Sequence, residues 1–167
     1  AVAAPAETGG GQAAQANGRL VLVVGSSHRG EEELFLGLFR ALKKRFPKLQ
    51  MVLAPRHPQR FAEVEKMLRD AAVEFEKKSS ANGQVSFAKD ILLLDTLGDL
   101  PAFYAIGDVA FVGGSLVQGG GHNLLEPARF GKPVLFGPHT TNFSALAAEM
   151  IQKRAAIEVR DAAELAR

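Results

Sequence analysis

The residues richest in chemical possibility lie between Phe111 and Pro127, FVGGSLVQGGGHNLLEP, where five of the nine positions from Gly113 to Gly121 are glycine. Glycine loses more backbone freedom on folding than any other residue, so this density points to backbone that a ligand approaches closely; the alternative is a plain loop. Gly113, Gly114 and Ser115 open the segment. Asn123 and Glu126 stand three positions apart at the start of an expected helix, so both side chains can turn toward one bound group. A carboxylate that accepts two hydrogen bonds suits a ribose diol, and the helix start beside it suits a phosphate.

Three more loops offer polar chemistry. Pro55-Arg56-His57-Pro58 fixes the backbone around an Arg whose planar fork matches phosphate or carboxylate; the structural alternative is an Arg in solvent or paired with Glu63. Gly25-Ser26-Ser27-His28-Arg29-Gly30-Glu31 sets small residues and His28 beside exposed helix N–H groups, a place for an anion. It fits neither GxGxxG nor a P-loop, and its plain reading is a turn capped by Ser27. In Asp95-Thr96-Leu97-Gly98-Asp99-Leu100 an Asp or Thr can cap the helix that starts there, and a ligand can lie against Leu97. His28, His57, His122 and His139 all fall in loops at strand ends, but no HxH or HxxxH pair and no carboxylate cluster accompanies them, which disfavours a metal site.

These loops need a scaffold, and the rest of the chain supplies one. The 167 residues are 47% hydrophobic and 23% charged, enough for one compact domain with a core. Twenty basic against eighteen acidic side chains leave +2, with no Lys/Arg run of the kind that binds nucleic acid. The absence of cysteine excludes disulfides, thiolate zinc sites and cysteine nucleophiles. No apolar stretch approaches the roughly 18 residues that cross a bilayer, and no signal-peptide pattern opens the chain. Residues Ala1 to Gly18, rich in Ala, Gly and Gln, read as a flexible linker. The lack of an initiator Met, and a new helix beginning at Asp161 just before the last residue, Arg167, suggest a piece of a longer protein.

From Arg19 short apolar runs alternate with helical periodicity. Strands are expected at Leu20 to Val24, Leu49 to Ala54, Ala72 to Glu76 at an edge, Ile91 to Leu94, Val109 to Val112, Pro133 to Phe136 and Ala155 to Val159, with a short one at Gln84 to Phe87 after an Asn82-Gly83 turn. Helices are expected over Gly30 to Phe46, Gln59 to Ala71, Leu97 to Ile106, Asn123 to Phe130 and Asn142 to Gln152. Gly37 inside the first of these suggests close packing. The alternation predicts a doubly wound α/β domain, Rossmann-like, with a parallel sheet whose ligands bind beyond the carboxyl ends of the strands.

Together, Ser27-His28-Arg29-Gly30-Glu31-Glu32-Glu33, Pro55-Arg56-His57-Pro58, Asp95-Thr96-Leu97-Gly98, Val112-Gly113-Gly114-Ser115, Gly120-Gly121-His122-Asn123-Leu124-Leu125-Glu126-Pro127 and Gly131 to Thr140 (GKPVLFGPHT) resemble the C-terminal half of 3-deoxy-D-manno-octulosonic acid (Kdo) transferase. The resemblance spans roughly Val21 to Val159. It implies one half of a two-domain GT-B glycosyltransferase, moving Kdo from CMP-Kdo to a lipid A precursor in lipopolysaccharide biosynthesis, with inversion and with neither metal nor other cofactor. The acceptor and the catalytic carboxylate would belong to an N-terminal half, so this chain would hold no catalytic residue and be inactive alone. The parent would work at the cytoplasmic face of the inner membrane, this domain inserting in no membrane and binding no nucleic acid. By motif, Arg56 would meet the cytidine or its phosphate, Leu97 the base, Gly113, Gly114 and Ser115 the nucleotide, Asn123 and Glu126 the ribose and phosphate side, and His28 the sugar end. Leu97 stands where Met is expected, a swap that conserves volume, and Gln118-Gly119 replaces a more apolar pair. A UDP-sugar transferase domain or a non-catalytic nucleotide-binding module are the alternatives.

Overall fold

The computed structural model describes residues 18–81 and 85–167. All of the expected linker except Gly18, and the Asn82-Gly83 turn, lie outside the described residues. Seven strands, β1 (Leu20–Ser27), β2 (Leu49–Pro55), β3 (Phe75–Lys77), β4 (Ile91–Leu93), β5 (Val109–Val112), β6 (Val134–Phe136) and β7 (Ala156–Glu158), form one sheet in the order β3-β4-β2-β1-β5-β6-β7. Every neighbouring pair is parallel. Between them run α1 (Glu31–Arg45), α2 (Phe61–Asp70), α3 (Leu100–Ile106), α4 (Leu125–Ala128), α5 (Ser144–Gln152) and α6 (Ala162–Leu165).

Burial on both faces explains the unbroken apolar strands. In β1, Leu22 and Val24 pack with Phe35, Leu38 and Phe39 of α1, while Val21 and Val23 join Phe103 and Tyr104 of α3 across the sheet. β2 divides likewise, with Met51 and Leu53 on the α1 face and Val52 and Ala54 on the other. A strand between two helical layers must be apolar at every position, and only a parallel sheet with crossovers places helices on both sides. The α1 helix opens at Gly30, whose N–H donates to the Glu33 carboxylate, and closes with Lys43-Lys44-Arg45 in its last turn, just before Pro47.

Element boundaries differ from expectation for local reasons. Pro58–Arg60 is a 3-10 turn that delays α2 to Phe61. Ala72 takes φ 52° to end that helix, which moves the edge strand three residues on, to Phe75. Residues Val85 to Phe87 form no strand, because the Gln50 amide from β2 donates to the carbonyls of Phe87 and Lys89 and claims that backbone. The third helix starts at Leu100 rather than Leu97, since Gly98 has φ 84° and the Thr96 hydroxyl donates to Asp99 within a turn. Asp95 does not cap that helix; its carboxylate accepts from the amide and hydroxyl of Ser79. The expected Asn123 to Phe130 helix is one turn, α4. Around Gly37 there is open space rather than close packing.

The chain leaves β1 toward β2 on one side and returns from β4 across the sheet to β5 on the other side. The order reverses between β1 and β5, so the loops after these strands diverge and leave a crevice at their carboxyl ends.

Candidate functional site

At the crevice the chain is locally strained and tightly packed. Ser26 sits in the left-handed region at φ 54°, and the pairing of β1 with β2 slips between Gly25 and Ser27. Gly113 faces this bulge so closely that a Cβ would lie 2.4 Å from the Ser26 carbonyl oxygen. The other glycines of the segment are also filled by protein. Gly119 abuts the backbone of Gly114, Gly120 the side chain of Asn142, and Gly121 the backbone of His139 and Thr140.

The amides of this loop are likewise occupied from within. Glu31, at the start of α1 and fully buried, accepts from the N–H groups of Gly114 (2.7 Å), Ser115 (3.1 Å) and Leu116 (3.0 Å), and also from His28 (2.9 Å). The Gly113 amide donates to Gly25 O of β1. Ser115 is buried, its hydroxyl donating to Val112 O and accepting from the Gly137 amide. The amides of Gly114 and Ser115 are therefore taken by an internal carboxylate, and that of Gly113 by the backbone of β1. Ser27 does not cap α1; its buried hydroxyl donates to Glu32, which also receives Arg60 at 2.6 Å. Burial pushes the Glu32 carboxyl up, and the Arg60 contact opposes that rise.

Beside this wall lies a cavity of about 430 Å³, bounded by Ser26 from β1, Arg56 after β2, Thr96, Leu97 and Gly98 after β4, His122, Asn123 and Glu126 around α4, and Phe143 before α5. The structure thus brings Arg56, Leu97, Asn123 and Glu126 together, and leaves Gly113, Gly114, Ser115 and His28 out of the lining. Arg56 does not pair with Glu63, whose carboxylate is taken by Arg29 and Arg60. Its guanidinium makes no hydrogen bond or ion pair among the described residues, and its backbone is pinned to Ser27 O at 3.0 Å. Leu97 is 70% exposed at the rim, an apolar surface open to a planar partner. The Asn123 side-chain oxygen accepts from the Leu125 amide, which holds the side chain at the head of α4.

Three of the four loop histidines meet behind the cavity. Nε2 of His28 lies 2.8 Å from Nε2 of His122, and the His28 ring meets His57 edge-on at 5.4 Å. Burial lowers the His28 pKa, and burial together with the neighbouring His28, Arg56 and His57 pushes His122 down to about 4. The His122 ring is therefore neutral at pH 7. No group of three or more His, Asp or Glu side chains suited to a metal ion occurs among the described residues. Sequence reasoning missed His122, Thr96 and Phe143 as lining and Glu31 as the anchor of the wall. His122 was legible in the Gly-Gly-His-Asn block, whereas Glu31 is one of three acids in the first turn of α1 and nothing local sets it apart.

An all-parallel doubly wound sheet, with a polar cavity at its switch point lined by Arg, Asn and Glu, defines an α/β domain of the Rossmann type. No protein-family model matches the chain. It is 41% identical over 152 residues to a 3-deoxy-D-manno-octulosonic acid transferase of Bordetella pertussis, covering 89% of this chain and 36% of that one. It is 39% identical over 146 residues to the protein of the same name from Haemophilus influenzae, covering 87% and 34%. The crystal structure of the C-terminal CMP-Kdo binding domain of WaaA from Acinetobacter baumannii superposes with a TM-score of 0.84 at 33% identity, covering 94% of this chain and 83% of that one. The chain belongs to the Kdo transferase family and corresponds to its C-terminal part. It spans about a third of the length of the curated relatives it matches. A UDP-GlcNAc 2-epimerase of Neisseria meningitidis, at 18% identity and TM-score 0.55, shares the fold alone.

Proposed function

We propose that the cavity holds the CMP moiety of CMP-Kdo, and that the chain serves as the donor-binding part of a transferase that moves Kdo to a lipid A precursor. The observation that carries this reading is the convergence of Arg56, Leu97, Asn123 and Glu126 on one cavity of about 430 Å³, a volume in the range of small-ligand sites. Glu126 accepts the ribose hydroxyls, Leu97 and Phe143 flank the base, and the unpaired Arg56 fork takes the phosphate. As the glycosidic bond breaks, charge grows on the departing phosphate, and a preorganised guanidinium stabilises it there. Arg56 supplies that charge without a metal, so chelation leaves binding unchanged. Gly113, Gly114 and Ser115 form the wall, and His28 stands behind His122 toward the sugar. The acceptor and the catalytic carboxylate belong to the remainder of a transferase working at the cytoplasmic face of the inner membrane; among the described residues no helix is long and apolar enough to cross a membrane.

NMR titration of the chain tests this reading. CMP is expected to shift the amides of Arg56, Leu97, Asn123 and Glu126, with or without EDTA, and Arg56→Ala to weaken binding by about 10- to 100-fold, the scale of a lost charge-assisted contact. Tighter binding of UDP, or shifts confined to other surfaces, would overturn it.

A further inference from the structure

We infer that the His28–His122 pair is an anion-responsive subsite that takes up one proton when a phosphate-bearing ligand enters the cavity, and holds that charge behind it. The inference rests on the cavity being the donor site. Two Nε2 atoms 2.8 Å apart can hydrogen-bond only when one carries a proton and the other does not, so the neutral pair holds its rings in opposite tautomers. The ring that accepts through Nε2 bears its proton on Nδ1. Adding a proton to the free Nδ1 of the donor ring leaves the contact intact and gives an imidazolium bonded to an imidazole. Adding a second sets two N–H groups face to face and breaks it. The pair therefore has room for one positive charge.

The surroundings keep that charge away until an anion arrives. The His28 ring meets His57 of the loop after β2, the charges of Arg56 in that loop and Arg60 in the 3-10 turn act on His28, Arg56 acts on His122 as well, and the Glu31 carboxylate of α1 acts on His28 and accepts its amide. The glycine-rich loop from Gly113 to Gly121 contains no titratable side chain. Glu31 already faces three other amides, and two guanidiniums with a third imidazole oppose it, which disfavours a positive charge on the pair. His122 lines the cavity beside Arg56. A dianion seated at Arg56 offsets the guanidinium charge and adds attraction of its own, and both effects favour the protonated pair. By linkage, a ligand that raises a group's proton affinity binds more tightly as pH falls.

Calorimetric titration of the chain with CMP between pH 7 and 8, in two buffers of different ionisation enthalpy, reads the proton directly. Uptake of a fraction of a proton, rising toward one as pH falls and never above it, is expected, with affinity increasing by up to about tenfold per pH unit. The phosphate of CMP titrates near pH 6 and in this range releases protons on binding, the opposite sense. Uncharged cytidine should take up none, and His28→Gln should abolish uptake while CMP still binds. Imidazole ¹⁵N spectra of the free chain should show the opposite tautomers and one protonation step with the contact intact. Binding without uptake, uptake retained in His28→Gln, or uptake lost only in His57→Gln would each overturn the subsite while leaving the donor site standing. Opposite tautomers with no CMP binding at all would instead sink the donor-site reading, and the linkage with it.

Discussion

Glu31 is the residue whose role departs furthest from its local appearance. As the first residue of α1 it looks like a helix-dipole partner, worth a few tenths of a kcal/mol. In the folded chain it is the common acceptor for Gly114, Ser115 and Leu116, which lie 83 to 85 positions away, and no local pattern reports such a bond. Glu31→Gln replaces an acceptor oxygen with an N–H that faces other donors. It should destabilise the chain by about 3 kcal/mol, the scale of two or three buried amides left unpaired, measured as a lower urea midpoint at constant m. An unchanged midpoint would mean that the loop is held otherwise. Arg56, Asn123 and Glu126 were legible because each lies in a short motif whose chemistry does not depend on a distant partner. The convergence of His28, His57 and His122 was not, since three loops bring them together.

At the scale of elements, the two loops that frame the crevice are shaped by packing against each other. Gly113→Ala would drive a Cβ to 2.4 Å from Ser26 O and 2.7 Å from the Ser27 Cα, both backbone atoms that cannot step aside, so the bulge of β1 must move. Destabilisation by 2 kcal/mol or more, of order of an overpacked core, is expected in thermal melts. Gly37→Ala is the contrast: it lies in the exposed interior of α1 with nothing within 4 Å of the new Cβ, and should stabilise by about 0.5–1 kcal/mol. A stabilising Gly113→Ala or a destabilising Gly37→Ala would contradict this account. Strand and helix types followed from periodicity, but their ends did not. The turn at Gly98, the left-handed Ala72 and the Gln50 contacts to Phe87 and Lys89 each move a boundary through a bond or dihedral angle that hydrophobic pattern does not encode.

For the whole molecule, a site at the junction of β1 and β5 draws its lining from both halves of the sheet, so a ligand there ties together loops that local unfolding would otherwise separate. CMP at a hundred times its dissociation constant should raise unfolding free energy by about 2.7 kcal/mol, read as an upward shift in melting temperature that grows with concentration; a melt indifferent to CMP would count against a site at this crevice. The class of fold followed from sequence alone, because apolar runs that need burial on both faces, alternating with amphipathic helices, admit little besides a covered parallel sheet. The motifs also marked loops that border the cavity and the family they resemble, since those signals are short and contiguous. Only the tertiary structure decided that the amides of Gly114, Ser115 and Leu116 face Glu31, that Arg56 has no partner among the described residues, and that His28 and His122 share a contact. Each of these depends on which distant groups the crossing connections bring within hydrogen-bonding distance, and a linear order of residues does not contain that distance.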